Sequence, residues 1–225
     1  MSGAVVYRGA RCDPGQDVPL AKRLESAGRA QEHVIRGSAF VHRLAARALP
    51  WKAYSDWLAQ HFFLYESLES ARSVMSDDPI CAAFAGSAPQ RLTALAADLR
   101  FLNGTNWERR IVALPATSAY CTRLRDVSLR SASAFVAHHY SRHVDDLPMC
   151  RWLAPAVQAA YGLSRSGCRF VASAGVTPAS VRARHGELVD GIAWSPSQRH
   201  EVVTEAAEAQ RWYRAVLDEL GRRWT

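Results

Sequence analysis

Residues Phe135–Trp152 read FVAHHYSRHVDDLPMCRW. His139, His143 and Asp146 stand there at i, i+4 and i+7, which a helix places on one face. Three groups that titrate or bind metal, aligned beside aromatic and aliphatic neighbours, demand either a buried chemical site or a solvated helix surface. The choice depends on the scaffold around them.

Working outward, the texture is helical on both sides. Tyr54, Trp57, Leu58, His61, Phe62, Tyr65 and Leu68 recur at helical spacing and predict a helix over Tyr54–Ala71. Pro50 lies before it, and Asp77–Asp78–Pro79 closes the region. Leu20–His33 predicts a first helix with a break or kink at Gly37–Ser38, and Pro89–Leu102 another, stopped by Asn103–Gly104. Ala116–Ala137 reads as one long helix that Asp146–Pro148 should kink or end, because proline removes a backbone donor. Trp152–Leu163 and Pro178–Ile192 are shorter helices. Glu205–Leu220 is a clear one, with Ala206, Ala209, Trp212, Tyr213, Val216, Leu217 and Leu220 inward. Residues 1–19, with three glycines and two prolines, read as a loose leader, and residues 20–225 as one domain. No repeat and no credible set of strands interrupts this. The expectation is an all-α, single-domain bundle of roughly seven to nine helices.

The composition narrows the function classes. The 225 residues are 48% hydrophobic, an ordinary globular value. No apolar run approaches the ~20 residues that span a bilayer, and the N-terminus lacks a signal-peptide pattern, which together point to the cytoplasm. Cys12, Cys81, Cys121, Cys150 and Cys168 are scattered without a CxxC pair, so reduced structural thiols are expected. The net charge of +7 comes from arginine, since Lys22 and Lys52 are the only lysines. Such a surface suits an anionic ligand or an acidic partner. No helix-turn-helix, zinc or RNP signature accompanies it, so nucleic acid is not expected.

Leu95–Arg125, LAADLRFLNGTNWERRIVALPATSAYCTRLR, together with Phe135–Asp146, Trp57–Ala71 (WLAQHFFLYESLESA) and the terminal helix, resembles the bacterial, biliverdin-producing haem oxygenases. The resemblance runs from about Leu20 to Leu220 and implies the haem-oxygenase-like helical bundle. It also implies haem as cofactor and substrate, O2, and an external electron donor such as ferredoxin or a flavin reductase. Haem would lie between the first helix and the bent helix that carries Asp146. Counting back eight residues from Phe40 puts Glu32 at the position of the axial ligand. His33 is one residue late, about 100° of helix rotation. His33 is the expected iron ligand if the local register slips, with Glu32 as the poorer donor.

The family's distal helix reads approximately YLGDLSGGQ. Here Asp146 keeps the carboxylate, Tyr140 and Arg142 match the tyrosine and arginine upstream, and Asp145, Met149 and Cys150 replace the glycines. Those glycines let backbone approach the haem face, so Met149 or Cys150 would fill the oxygen site or ligate iron. Arg182 and Arg29 are the expected propionate anchors, while Gly186 stands where the family has an arginine. Three alternatives stay open. One is a degenerate member that binds haem or another ligand without opening it. Another is a non-haem diiron or iron oxidase using His139, His143 and Asp146 with Glu66, Glu69, His61 or Glu32. The last is a structural or partner-binding protein.

Overall fold

In the computed structural model the described residues are 18–84, 91–173 and 177–225. The expected leader lies outside them apart from Val18 and Pro19, as does the start predicted at Pro89. The centre of the bundle is α3 (Trp51–Val74), which buries side chains almost all round, from Tyr54, Trp57 and Leu58 to Tyr65 and Leu68. A helix so enclosed needs neighbours on every side. They are α5 (Arg91–Asn103), α6 (Pro115–Ser128), α7 (Ala132–Tyr140), α8 (Asp146–Tyr161) and α11 (Pro196–Arg223). α9 (Arg169–Ala172) packs Phe170 against α3 as well, and farther out lie α1 (Leu20–Arg36), α2 (Ala39–Ala45), α4 (Pro79–Ala83) and α10 (Pro178–Asp190). No strand occurs among the described residues, and none of their helices is long and apolar enough to cross a membrane.

Local chemistry sets most boundaries. Ser195 and Gln198 form a reciprocal capping box at the start of α11, with Pro196 in the first turn. Ser38 caps α2, which makes the expected break at Gly37–Ser38 a true helix end. Asp78 caps α4 just before Pro79. Asp98 reaches from α5 to accept the backbone N–H groups of Arg169 (3.0 Å) and Phe170 (2.8 Å), fixing α9. The Asp190 carboxylate accepts the Ala21 N–H at 3.0 Å and ties α1 to α10. Gly162, at φ 62°, ends α8 in the left-handed conformation.

Two expectations are corrected. The long helix over Ala116–Ala137 is broken: α6 ends at Ser128, and Ser131, extended at φ −146°, caps α7 through the Ala134 N–H. A hydroxyl at that position competes with helix continuation. The kink expected at Asp146–Pro148 falls earlier, as one wide π-type turn over Ser141–Asp145 that joins α7 to α8. Pro148 cannot donate to the Val144 carbonyl four residues back, and the widened register upstream absorbs that loss.

Candidate functional site

The wide turn delivers the chemistry. Arg142, fully buried, pairs with Asp146 at 3.0 Å. The Tyr65 hydroxyl of α3 donates to the Arg142 carbonyl and has the Asp146 carboxylate at 3.3 Å. Arg91 at the start of α5 donates to Cys150 Sγ (3.2 Å), Ser173 Oγ (2.8 Å) and the Phe170 carbonyl (3.0 Å). Burial pushes the Asp146 carboxyl upward, and Arg142 and Arg91 oppose the rise. His61 stands 3.9 Å from Asp146. Its Nδ1 lies 2.9 Å from the Trp57 carbonyl and must donate there, so Nε2 accepts from the Tyr213 hydroxyl at 3.0 Å. That tautomer is neutral, in keeping with a burial-driven fall in its pKa to about 3. The unit can hold or move a proton near Asp146, but His61 is no cation there.

His139 and His143 are both buried, with ring centroids 4.3 Å apart, and His185 of α10 stacks 5.5 Å from His139. Burial depresses both, His139 to about 3 and His143 well below its usual value, so they are neutral rings in an aromatic layer with Phe84 and Phe135. Asp146 belongs instead to the Arg142 pair, because the wide turn rotates it relative to an ideal i+7 position. Glu66 is exposed on α3, and Glu69 is paired with Arg72 at 2.6 Å. The non-haem iron set is therefore not assembled. Among the described residues no group of three His, Cys, Asp or Glu could hold a metal ion.

The opening helix α1 buries Leu20, Leu24, Gly28 and Ile35. His33, the expected iron ligand, lies off that stripe and is exposed. Glu32 is partly exposed and paired with Arg36 at 2.6 Å, while Arg29 is exposed and paired with Glu25 at 2.6 Å. Tyr140 is buried beside Arg182, which also lies 3.9 Å from Glu25. Met149 and Cys150 are buried in the main core.

Sequence reasoning missed the contact that decides the site. A Cβ placed on Gly28 would lie 2.5 Å from Asp145 Oδ1, 2.9 Å from its Cγ and 3.0 Å from Oδ2. The whole carboxyl group is seated on the bare backbone of α1. Gln210 of α11 donates to Oδ2 at 3.0 Å. Burial and the neighbouring Asp146 lift the Asp145 pKa, with Arg142, Arg182 and Gln210 opposing, to about 7. Farther along α1, the Arg36 guanidinium lies 4.8 Å over the Trp152 ring of α8. A glycine on the buried stripe of a helix, at a cost of ~1 kcal/mol against alanine, was the available signal.

A planar macrocycle between α1 and the wide turn needs ~3.5 Å of clearance on each face. The Asp145–Gly28 contact leaves no such clearance at Gly28, and the one imidazole of α1, His33, lies off its buried stripe. The residues present do not fit haem in this arrangement.

Comparison with known proteins places the scaffold. The family described as Heme oxygenase matches residues 18–219. The heme oxygenase of Rhodella violacea is 25% identical over 206 residues, 91% of this chain and 88% of that one. Heme oxygenase 1 of Nostoc is 24% identical, over 89% of this chain and 85% of that one. Among solved structures, heme oxygenase-1 from Synechocystis in complex with heme superposes with a TM-score of 0.82 at 22% identity, over 90% and 92% of the two chains. A Shewanella denitrificans domain of unknown function with a heme oxygenase-like fold gives 0.73 at 14% identity, over 92% and 94%. These structural likenesses speak for the fold alone. The family match over nearly the whole chain, on an all-α bundle, means that this chain belongs to the haem oxygenase family.

Proposed function

We propose that this chain is a degenerate member of the haem oxygenase family that does not open the haem ring. The observation that carries the reading is the Asp145 carboxyl group seated on Gly28, at one end of the stretch of α1 that the family's substrate would face. Exposure of His33 and burial of Met149 and Cys150 in the core support it. A reducing, cytoplasmic setting is part of the proposal; the described cysteines, Cys81, Cys121, Cys150 and Cys168, are buried free thiols.

A second reading, oxidative opening of haem to biliverdin with release of CO and iron, draws on the retained Arg142–Asp146–Tyr65 unit. It requires O2 and an external donor, ferredoxin or a flavin reductase, for which the arginine-rich surface would suit an acidic partner. Aerobic incubation of the full chain with haemin and either donor system separates the two. The proposal expects no verdohaem or biliverdin absorption beyond that of protein-free haemin. Donor-dependent biliverdin would refute it and establish the second reading.

A further inference from the structure

We propose that Asp145 is the specificity determinant of the gap between α1 and the wide turn: its carboxyl group, seated on Gly28, keeps a porphyrin out, and Arg36 on Trp152 shuts the far end. The inference rests on the non-cleaving reading and adds a physical cause to it. Gly28 and Arg36 are eight residues apart, ~12 Å along a helix at 1.5 Å per residue. The two contacts thus bracket the stretch of α1, centred on Glu32, that a macrocycle would have to face. At one end the seat is made for the carboxyl group, since even a methyl on residue 28 would collide with it. Gln210 holds Asp145 Oδ2 from α11, so the side chain is anchored and not merely resting in free space. At the other end Arg36 is held both by Glu32 at 2.6 Å and by the Trp152 face at 4.8 Å. A cation on an indole face is the best of the cation–π pairings.

Exclusion of this kind acts as a population effect. A gap that is open in about one molecule in a hundred weakens apparent affinity about a hundredfold. Asp145→Ala removes the plug while keeping a helix-compatible residue, whereas Asp145→Asn keeps its shape and its bond to Gln210. Haemin is titrated into the parent, D145A, D145N and R36A, following the Soret band, with far-UV circular dichroism as the check on folding. The expected result is no saturable Soret change for the parent or D145N. D145A should bind saturably, at least about a hundredfold above the limit the parent sets, and R36A at least about tenfold above it.

Saturable binding by the parent without biliverdin would overturn the exclusion and leave the non-cleaving reading standing. A folded D145A that binds no better than D145N would overturn the role of Asp145, again leaving that reading intact. Donor-dependent biliverdin from the parent would sink both together. Should D145A not fold, the surface variant R36A decides, and unchanged affinity there counts against the proposal.

Discussion

Adding one methyl group at residue 28 tests the central contact without any ligand. In an ordinary buried helix Gly→Ala is worth up to ~1 kcal/mol in favour of the folded state. Here the new Cβ would meet all three carboxyl atoms of Asp145 at 2.5–3.0 Å, inside any tolerable contact. The carboxyl group must then leave its seat and loosen its 3.0 Å bond from Gln210. Overpacking of this sort costs about 1–3 kcal/mol. Gly28→Ala should therefore destabilise the protein by about 0–2 kcal/mol. In an Asp145→Ala background the obstacle is gone, and the same substitution should stabilise by up to about 1 kcal/mol. The coupling between the two positions, about 1–3 kcal/mol, is the quantity that reports the contact. Urea unfolding of the four proteins of the cycle measures it, provided the slope m stays constant. Each kcal/mol also moves the thermal midpoint by about 2–4 °C for a chain of this length. An equal effect of Gly28→Ala in both backgrounds would mean that Asp145 does not sit on α1, and the argument for a closed gap would fall.

Two further outcomes follow from the buried charges. Asp145 has its folded pKa raised from 3.8 to about 7, so the native state holds the proton more tightly than the unfolded chain. Stability relative to Asp145→Asn should fall as pH rises from about 4 to about 7 and level off above that. The span is worth up to about 4 kcal/mol, less in proportion to the water that still reaches this partly buried group; a flat difference across that window would contradict the raised pKa. Arg142→Met should cost about 3–5 kcal/mol by chemical denaturation because it leaves Asp146 without its 3.0 Å partner. Removing both charges in Arg142→Met/Asp146→Leu should recover most of that loss, and failure to recover would locate the role of Arg142 in its packing on Tyr213, 4.1 Å from the ring centroid.

The helices that pack by periodicity are legible in the sequence, as is the break at Gly37–Ser38, whereas the break capped by Ser131 is not. The stripe from Tyr54 to Leu68 predicts α3 because its side chains fill the core. Ser131 starts a new helix within a stretch that periodicity carries straight through, its hydroxyl accepting the Ala134 N–H. The site divides the same way. Tyr140, Arg142 and Asp146 lie within one segment and were recognisable in order. Arg91, Tyr65, Gln210 and Tyr213 join them from three other helices, and no local spacing encodes those contacts. His33 failed as an inward residue because one position along a helix is about 100° of rotation, enough to turn an imidazole from the gap to solvent.

Gly28 and Asp145 carry the most instructive case, for each was visible and neither was interpretable alone. An unexplained glycine on a buried stripe and a carboxylate in place of a glycine look like two separate departures. Across the gap they are complementary: the absence of a side chain on one helix makes room for the carboxyl group of the other. Small-for-large exchange across an interface preserves packing density. It also closes the gap to a flat ligand at that point of α1. Behind this contact the buried Arg142–Asp146 pair, 3.0 Å apart, is held by the core, since breaking a buried ion pair leaves an uncompensated charge there.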